Sequence, residues 1–399
     1  MEGKLEVASA TNVRDGLSMT PRERVRCAFQ HRQPDRVPVF EQTVCSRVAS
    51  EIMGRPMRTG GGQIRFEETA ARFESEARWE EYVNGIIADR GDLIRELGFD
   101  LVSMPWRHSS RPSAKLDDHT FLYGSRSDLW SVYRYDETSD AFHEIDSSVR
   151  QEGIAAIERI VLQTVRSMQE WSPPTEEGFA PLLAIARRAG GERFIVCGGQ
   201  VAVPPDAAWL EACAERPDLV EQFLDVEATQ LIAIIPVAAR AGVHGIWGGG
   251  DLASNAGPLY SPAAFRRLIL PRLKAVTAAA HEAGLVYVFR TDGNTWPIGE
   301  MLFRESGVDG YGEIDIDAGM SLVEMKKAFP QLTLWGGMSC GRALSFGTPD
   351  SIREQVRQVL ADCAPGGGLI FGSSNSIHSG VPTRNYLAML DAAREFGGR

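Results

Sequence analysis

The sequence lacks the cysteine and histidine patterns that mark a disulfide-rich protein or a structural zinc protein. Its six cysteines are scattered, with no CxxC pair and no regular spacing, which favours free thiols in a reducing compartment. It also contains no HxxxH, HEXXH or paired-cysteine motif. A closed structural zinc site is therefore not expected.

Long apolar runs and an excess of positive charge are also missing. No run approaches the roughly 20 residues that span a bilayer, and the N-terminal stretch MEGKLEVASATNVRDG has no apolar core of the signal-peptide kind. The net charge of −11 argues against nucleic acid or an anionic membrane as the main partner. We expect a cytoplasmic protein with a flexible tail at residues 1–17, followed by one domain at residues 18–399.

Short β-rich runs alternate with longer helical patterns through most of the chain. A capping box, Thr20-Pro21-Arg22-Glu23, opens a helix before the first run. Alternation of this kind favours parallel strands and predicts a (β/α)8 TIM barrel with an N-terminal helical extension. An open doubly wound sheet is the alternative, but no glycine-rich phosphate loop follows the first strand. The eight predicted strands lie at residues 36–40, 100–105, 193–197, 243–247, 285–289, 308–311, 332–335 and 368–371.

Residues 107–148 have a different pattern from the rest of the chain. Aromatic and polar residues alternate there with a period of two, and turn residues separate them. The pattern predicts an antiparallel β-hairpin inserted in a barrel loop. An insertion at this point is expected to shape the substrate pocket.

Polar residues follow most of the predicted strands at their C-terminal ends. Active sites of TIM barrels lie at that face, so these side chains are expected to converge. The catalytic candidates are Asp251, Asp292, Glu313 and His378, and the substrate-binding candidates are Glu41, Trp106, Gln200, Arg290 and Asn375.

Each catalytic candidate has a functional and a structural interpretation. Asp251 follows three glycines that allow close approach to a ligand, but it could instead cap the next turn. Arg290 and Asp292 point to one side of an extended strand, where the arginine could bind a substrate carboxylate or pair with the aspartate. Glu313 lies in an acidic stretch whose carboxyl groups could share a proton or simply be solvated. His378 is a natural proton carrier, or a loop histidine that bonds only backbone.

Several stretches resemble the uroporphyrinogen decarboxylase superfamily. They are MTPRERVRCAFQHRQPDRVPVF near the start, GGGDLASNAGPLYSPAAFRRLILPRLKAV and TDGN in the middle, and GGMSCGRALSFGTPDSIREQV and GGGLIFGSSNSIHSGVPTRNYLAMLDAAREFG near the end. The resemblance implies a (β/α)8 barrel, a homodimer and one of two chemistries. One is cofactor-free decarboxylation of uroporphyrinogen. The other is methyl transfer between small methylated compounds, corrinoid carriers and thiols, usually with a zinc held by a His-x-Cys pair and a later Cys.

The chain departs from both branches of this superfamily at the motifs for those chemistries. The decarboxylases carry Arg-Gln-Ala-Gly-Arg after the first strand, whereas this chain has PVFEQTVCSRV, with Glu41 where a positive charge would be needed. The His-x-Cys of the methyltransferases falls on Arg290-Thr291-Asp292, and their later Cys falls near Ser373 or Ser374. Zinc is therefore left open. An oxygen-rich metal site would draw on Asp251, Asp292, Glu313 or His378.

Three functions are compatible with these residues. The first is a methyltransferase or O- or N-demethylase that passes a methyl group from a small compound to a corrinoid carrier protein. The second is a metal-free decarboxylase of a small carboxylic acid or porphyrinogen-like substrate, in which Arg290 orients the carboxylate and Asp292 or His378 protonates the carbanion. The third is a non-catalytic binding barrel, against which the many polar residues at strand ends argue.

Overall fold

The computed structural model describes residues 19–398 as an α/β fold with thirteen strands and fourteen α-helices. The tail predicted for residues 1–17 lies outside the described residues. In chain order the strands are β1 (Leu101–Val102), β2 (Ala114–Asp117), β3 (Thr120–Gly124), β4 (Trp130–Asp136), β5 (Ala141–Ser147), β6 (Phe194–Gly199), β7 (Gly245–Gly249), β8 (Ala253–Ser254), β9 (Gly257–Pro258), β10 (Val286–Arg290), β11 (Gly310–Gly312), β12 (Thr333–Met338) and β13 (Leu369–Ser373).

Some of the helices begin or end at residues with clear capping roles. Thr20 and Glu23 form the predicted capping box of the first helix, and Gly98 ends the fourth in the left-handed conformation. The helices are α1 (Pro21–Phe29), α2 (Ser46–Met53), α3 (Gly62–Glu74), α4 (Glu76–Leu97), α5 (Ser148–Glu152), α6 (Ile154–Ser167), α7 (Ala180–Ala189), α8 (Ala207–Glu215), α9 (Pro217–Arg240), α10 (Pro262–Ala264), α11 (Leu270–Glu282), α12 (Leu322–Ala328), α13 (Pro349–Cys363) and α14 (Thr383–Phe396).

Seven parallel strands form one curled sheet in the order β1-β6-β7-β10-β11-β12-β13. Strands that are neighbours in this sheet also follow one another in the same order along the chain, with helical segments between them. This order is consistent with a TIM-like barrel, as the alternation of strand and helix patterns predicted. Seven of the eight predicted strands are present, with ends shifted by one to three residues.

The prediction of a first strand at residues 36–40 is wrong. It contains only isolated bridges, one of them parallel between Val39 and Phe371 of β13. Pro38 has no N–H to donate, which limits the ladder that this segment can form. The segment nevertheless contacts both edges of the sheet. Phe40 N–H donates to Phe371 O (3.0 Å), Phe371 N–H donates to Pro38 O (2.8 Å), and Asp100 N–H donates to Val39 O (2.9 Å) just before β1.

The insertion is a four-stranded antiparallel sheet and not the single hairpin predicted for residues 107–148. Its strands pair in the order β2-β3-β4-β5. One face carries Phe121, Tyr123 and Phe142, which are buried against Phe66 of α3. A lone hairpin buries too little apolar surface to be stable, so the two further strands and the helix complete a small core.

Two layers of side chains form the main core. On the inner face of the curled sheet, Phe40 packs against Trp247 and Trp335, with centroids of the aromatic rings 6.0 and 5.3 Å apart. Alternate residues of the same strands point outward to the helices, as Ile246 and Leu334 do. The inward aromatic side chains fill the barrel interior below the strand ends and form the floor of the site.

Helix α9 is long and apolar enough to cross a membrane by length and composition alone. In this structure it packs against α6, α8 and α11. Leu219, Leu224 and Ile235 of this helix are buried. Part of its apolar surface is therefore buried by packing within the fold.

Candidate functional site

The strand register brings the ends of β7, β10 and β11 to one level. Arg290, the last residue of β10, pairs with Gly249 on β7 and with Gly312 on β11. Asp251, Asp292 and Glu313 follow these positions within one or two residues. The candidate site therefore forms at the C-terminal ends of neighbouring strands, as predicted from the sequence.

Arg290 is the cation at the centre of this group. Its Nη1 lies 3.4 Å from Glu313 Oε1, and its guanidinium carbon lies 5.0 Å from the ring centroid of Trp106. Trp106 is 52% exposed and covers one face of the guanidinium. The arrangement holds the arginine at the mouth of the barrel with further N–H donors for a ligand.

Glu313 is buried and has an unusual backbone conformation. Its φ angle is 61°, in the left-handed region that residues other than glycine seldom adopt. Burial raises the pKa of Glu313 to about 7, against the opposing effect of Arg290, and the charges of Asp292 and Asp251 raise it further. A substantial fraction of this carboxyl group is therefore protonated near neutral pH.

Asp292 is the second carboxyl group with a raised pKa. Burial raises the pKa of Asp292 to about 6; a hydrogen bond from Asn375 opposes the shift, and the charges of Asp251 and Asp315 add to it. Asn375 Nδ2 donates to Asp292 Oδ2 over 2.6 Å. Asp251 is exposed, yet its charge acts on both Asp292 and Glu313, so it faces the same site.

The sequence predicted that Glu41 contacts the substrate, but in the structure the residue lies behind the wall of the site. It is fully buried and accepts a hydrogen bond from Ser373 N (3.0 Å), and its Oε2 lies 2.6 Å from Ser373 Oγ. Burial raises the pKa of Glu41 to about 8. The segment before α2 therefore turns this side chain into the protein, although the residue follows a predicted strand.

A cavity of about 260 Å³ opens beside Arg290 and Trp106. Its wall is mostly apolar and aromatic, and it reaches the inward-facing Phe40 and Trp247 on the barrel floor. Residues that the sequence did not single out make up most of the wall. They are Phe40, Gln42, Ser103, Met104, Arg107, Phe179, Leu182, Val196, Cys197 and Trp247. Only the alternation of inward and outward residues along the strands could have indicated Phe40, Val196 and Trp247.

His378 lines a second cavity, of about 180 Å³, between the insertion and the loop after β13. Its Nδ1 accepts from Gly380 N (3.1 Å) and its Nε2 lies 3.3 Å from Ser345 Oγ. Arg65 and Asp140 line the same cavity, and Trp106 separates it from the first. The histidine is thus near the site but has no hydrogen bond to Asp292 or Glu313 within residues 19–398. Gln200 is exposed beside Gly250.

The described residues do not provide a set of metal ligands. Within residues 19–398, no three His, Cys, Asp or Glu side chains are grouped so that they could hold a metal ion. Burial raises the pKa of Cys340 to about 11, and the hydrogen bond that its sulfur accepts from Ser374 Oγ over 3.7 Å opposes this shift. The residues present do not fit a zinc centre.

Comparisons with known proteins confirm the family resemblance for the C-terminal half. Residues 205–396 match the family model of uroporphyrinogen decarboxylase (URO-D). The uroporphyrinogen decarboxylase of Alkalilimnicola ehrlichii is 28% identical over 192 residues, which cover 46% of this chain and 49% of that protein. The one from Neisseria meningitidis serogroup C is 27% identical over 190 residues, covering 45% and 49%. The chain therefore spans about half the length of the curated relatives it matches.

A solved structure confirms the fold over nearly the whole chain. A methyltransferase from Methanosarcina mazei superposes with a TM-score of 0.58 over 94% of this chain and 99% of that chain, at 20% sequence identity. At this identity the match establishes a shared fold and leaves the reaction to be argued from the site.

Proposed function

We propose that this URO-D-like chain transfers a methyl group from the oxygen or nitrogen of a small methylated compound to a corrinoid carrier protein. The observation that carries the proposal is the pair of buried carboxyl groups, Asp292 and Glu313, close to Arg290, which itself lines an apolar cavity. Their raised pKa values keep a proton available near neutral pH. General acids of this kind lower the cost of expelling a poor leaving group.

In the proposed reaction the substrate lies in the apolar cavity with its reacting group at the carboxyl pair. The bond between the methyl carbon and the heteroatom breaks, and the heteroatom keeps the bonding electrons. Asp292 or Glu313 delivers its proton to that heteroatom as the charge develops. A corrinoid carrier, when bound, supplies the nucleophile that accepts the methyl group. Arg290 binds a substrate carboxylate, and Trp106 limits access of water.

The size and charge of the cavity favour a small substrate over uroporphyrinogen. A volume of about 260 Å³ is below the range of about 300–1,000 Å³ for drug-sized ligands. Of its lining residues, only Arg107 and Arg290 are cationic, and Arg107 Nε already donates to Glu68 over 3.0 Å. A tetrapyrrole with many carboxylates would meet an acidic rim here.

Decarboxylation of a small carboxylic acid is the second candidate. The URO-D family match over residues 205–396 supports it. Arg290 would orient the carboxylate that leaves as CO2, and Asp292 would protonate the resulting carbanion. The same residues thus serve both reactions, and the two differ in whether a methyl group or CO2 is lost.

An assay of both products separates the two candidates. Purified protein is incubated with cob(I)alamin and a panel of methoxybenzoates and methylamines, and methylcobalamin formation is followed by visible absorbance while CO2 is collected. Methylcobalamin without CO2 supports methyl transfer, and CO2 without cobalamin supports decarboxylation. If neither methylcobalamin nor CO2 forms with any compound of the panel, the result counts against both proposals.

A variant pair tests the role of the carboxyl group in whichever reaction is found. Asp292→Asn is expected to lower kcat about 100-fold or more, because an amide cannot deliver the proton. Asp391→Asn, an exposed position on α14, is the matched control and should keep wild-type kcat. Equal activity of both variants would exclude Asp292 as the acid.

The (β/α)8 closure, a cytoplasmic location, the corrinoid partner and the homodimer stay predictions.

A further inference from the structure

Two hydrogen bonds at Ser373 require a proton that its hydroxyl group cannot supply alone. Ser373 Oγ lies 2.6 Å from Glu41 Oε2 and also contacts the main-chain carbonyl oxygen of Asn375. A carbonyl oxygen only accepts, and a serine hydroxyl carries a single proton. When that proton is donated to Asn375, the proton in the bond to Glu41 must come from the glutamic acid.

The surroundings of Glu41 also favour its neutral form. The side chain is 0% exposed, and its Oε1 accepts from Ser373 N over 3.0 Å. Arg90 of α4 is buried nearby, but its Nη2 donates to the main-chain oxygens of Glu41 (3.1 Å) and Gln42 (2.8 Å) instead of to the carboxyl group. Tyr386 on α14 and Cys340 after β12 are the other titratable groups that face it. Burial in this environment raises the pKa of Glu41 to about 8.

We propose that Glu41 is a neutral carboxylic acid at physiological pH and acts as a positioning residue for Asp292. It donates to Ser373 Oγ, Ser373 donates to the Asn375 carbonyl, and the Asn375 side chain donates to Asp292 Oδ2 over 2.6 Å. The chain of bonds links the segment before α2 to the loop after β13 and to the end of β10. The catalytic meaning of the last bond rests on the proposed function, whereas the protonation of Glu41 does not.

A neutral acid suits this position better than a carboxylate would. The rim already carries Asp251, Asp292 and Glu313: the charge of Asp251 raises the pKa of the other two, and the charge of Asp292 raises the pKa of Glu313. An ionised Glu41 would add a further negative charge and could not donate to Ser373. The Asn375 bond opposes the rise in the pKa of Asp292, so a loosened chain is expected to raise that pKa further.

Thermal unfolding of the full chain from pH 5 to pH 9 tests the protonation of Glu41. The Glu41→Gln variant keeps both bonds, since its amide donates to Ser373 Oγ and its oxygen accepts from Ser373 N–H. Because the folded pKa of Glu41 lies above its unfolded value, the wild type loses stability as pH rises from about 4.5 through about 8. The Tm of Glu41→Gln should therefore gain on that of the wild type by roughly 2–5 °C across this window.

The matched control is Glu354→Gln at an exposed position of α13, whose Tm should follow the wild type at every pH between 5 and 9. A Tm difference between Glu41→Gln and the wild type that stays constant from pH 5 to pH 9, with the wild type the more stable, would overturn the proposal. An ionised Glu41 paired with Arg90 would have a lowered folded pKa, so the wild type would gain on the variant as pH rises through about 4. It would then remain the more stable protein up to pH 9.

A double-mutant cycle tests the link to Asp292 without any need for activity. Ser373→Ala and Asp292→Asn are unfolded singly and together at pH 7. Residues joined through a chain of hydrogen bonds are expected to show non-additive effects on Tm, whereas additive effects would overturn the link.

Kinetics add a readout that a purely structural role would not move. In Glu41→Ala and Ser373→Ala, the limb of the pH–rate profile that reports the titration of Asp292 should move to higher pH. In Glu41→Gln that limb should stay at its wild-type position. An unshifted limb in both alanine variants would overturn the positioning role. An inactive wild type would overturn only the proposed function, since the Tm measurements do not depend on it.

Discussion

The carboxyl groups of Asp292 and Glu313 differ from surface carboxyl groups chiefly through burial. Both lie close to Arg290, yet desolvation outweighs the attraction of the guanidinium and raises the pKa values to about 6 and about 7. Ion pairs stabilise a carboxylate only where the loss of hydration is smaller than the gain. The site therefore holds protons near neutral pH despite its arginine.

A pH dependence follows from these raised pKa values. If the protonated form of Asp292 is the acid, kcat should be constant below about pH 6 and should fall about tenfold per pH unit well above pH 7. The measurement is a pH–rate profile with the substrate found in the assay. In Asp292→Asn the residual activity should lose this limb. A rate that rises with pH would instead identify a general base.

Arg290 allows a second test at the scale of one residue. Arg290→Lys keeps the charge but loses the planar fork that binds a carboxylate with two bonds and stacks on Trp106. We expect KM for a carboxylate substrate to rise about tenfold, a cost of about 1.4 kcal/mol. The methyl ester of the same substrate is the control and should show little change. An equal effect on acid and ester would show that Arg290 does not bind the carboxylate.

The elements position these side chains through close backbone contacts. Gly249 at the end of β7 has a φ of 122°, and a Cβ at this position would lie 2.0 Å from the carbonyl oxygen of Arg290. Only glycine permits this approach of two backbones. The end of β7 thus sets where β10 can place its arginine.

Replacement of that glycine should therefore cost stability and substrate binding together. Gly249→Ala is expected to lower the free energy of unfolding by about 2 kcal/mol or more, measured by urea denaturation. Gly198→Ala on β6 is the control for stability, since no atom lies within 4 Å of the added Cβ. Equal stability of the two variants would argue that the strands can separate without cost.

The sequence and the structure agree best where local rules determine an element. The capping box at Thr20 placed the start of the first helix correctly, and the strand patterns placed seven of the eight predicted strands. They disagree where a segment depends on its neighbours. The pattern of residues 36–40 predicted a strand, but this segment pairs only at isolated bridges. The insertion has two more strands than predicted, and it packs on α3.

At the scale of the whole molecule, one buried carboxylate connects the N-terminal segment to the central sheet. Asp100, before β1, is 0% exposed and binds Arg24 Nη1 (2.6 Å) of α1, Arg36 Nη1 (2.9 Å) and the backbone N–H of Val39 (2.8 Å). These contacts join α1, the bridging segment and β1 at one buried carboxylate.

Loss of this carboxylate should weaken the entire domain. Asp100→Asn leaves Arg24 with only Asp35 as a charged partner, and removal of one member of a buried ion pair costs about 3–5 kcal/mol. Urea denaturation should show a single transition at lower concentration. Asp391→Asn serves again as the control at the surface. A cost below about 1 kcal/mol would show that the segment is held by packing alone.

The sequence by itself determined the strand and helix order, the caps and the polar residues that follow the strands, because these depend on neighbours within a few positions along the chain. Only the tertiary structure decided which of those residues are buried and therefore protonated. Glu41 meets Ser373 across 332 positions and Asn375 meets Asp292 across 83. Loss of hydration is a property of the assembled ring, so the protonation state of the site cannot be read from the residues alone.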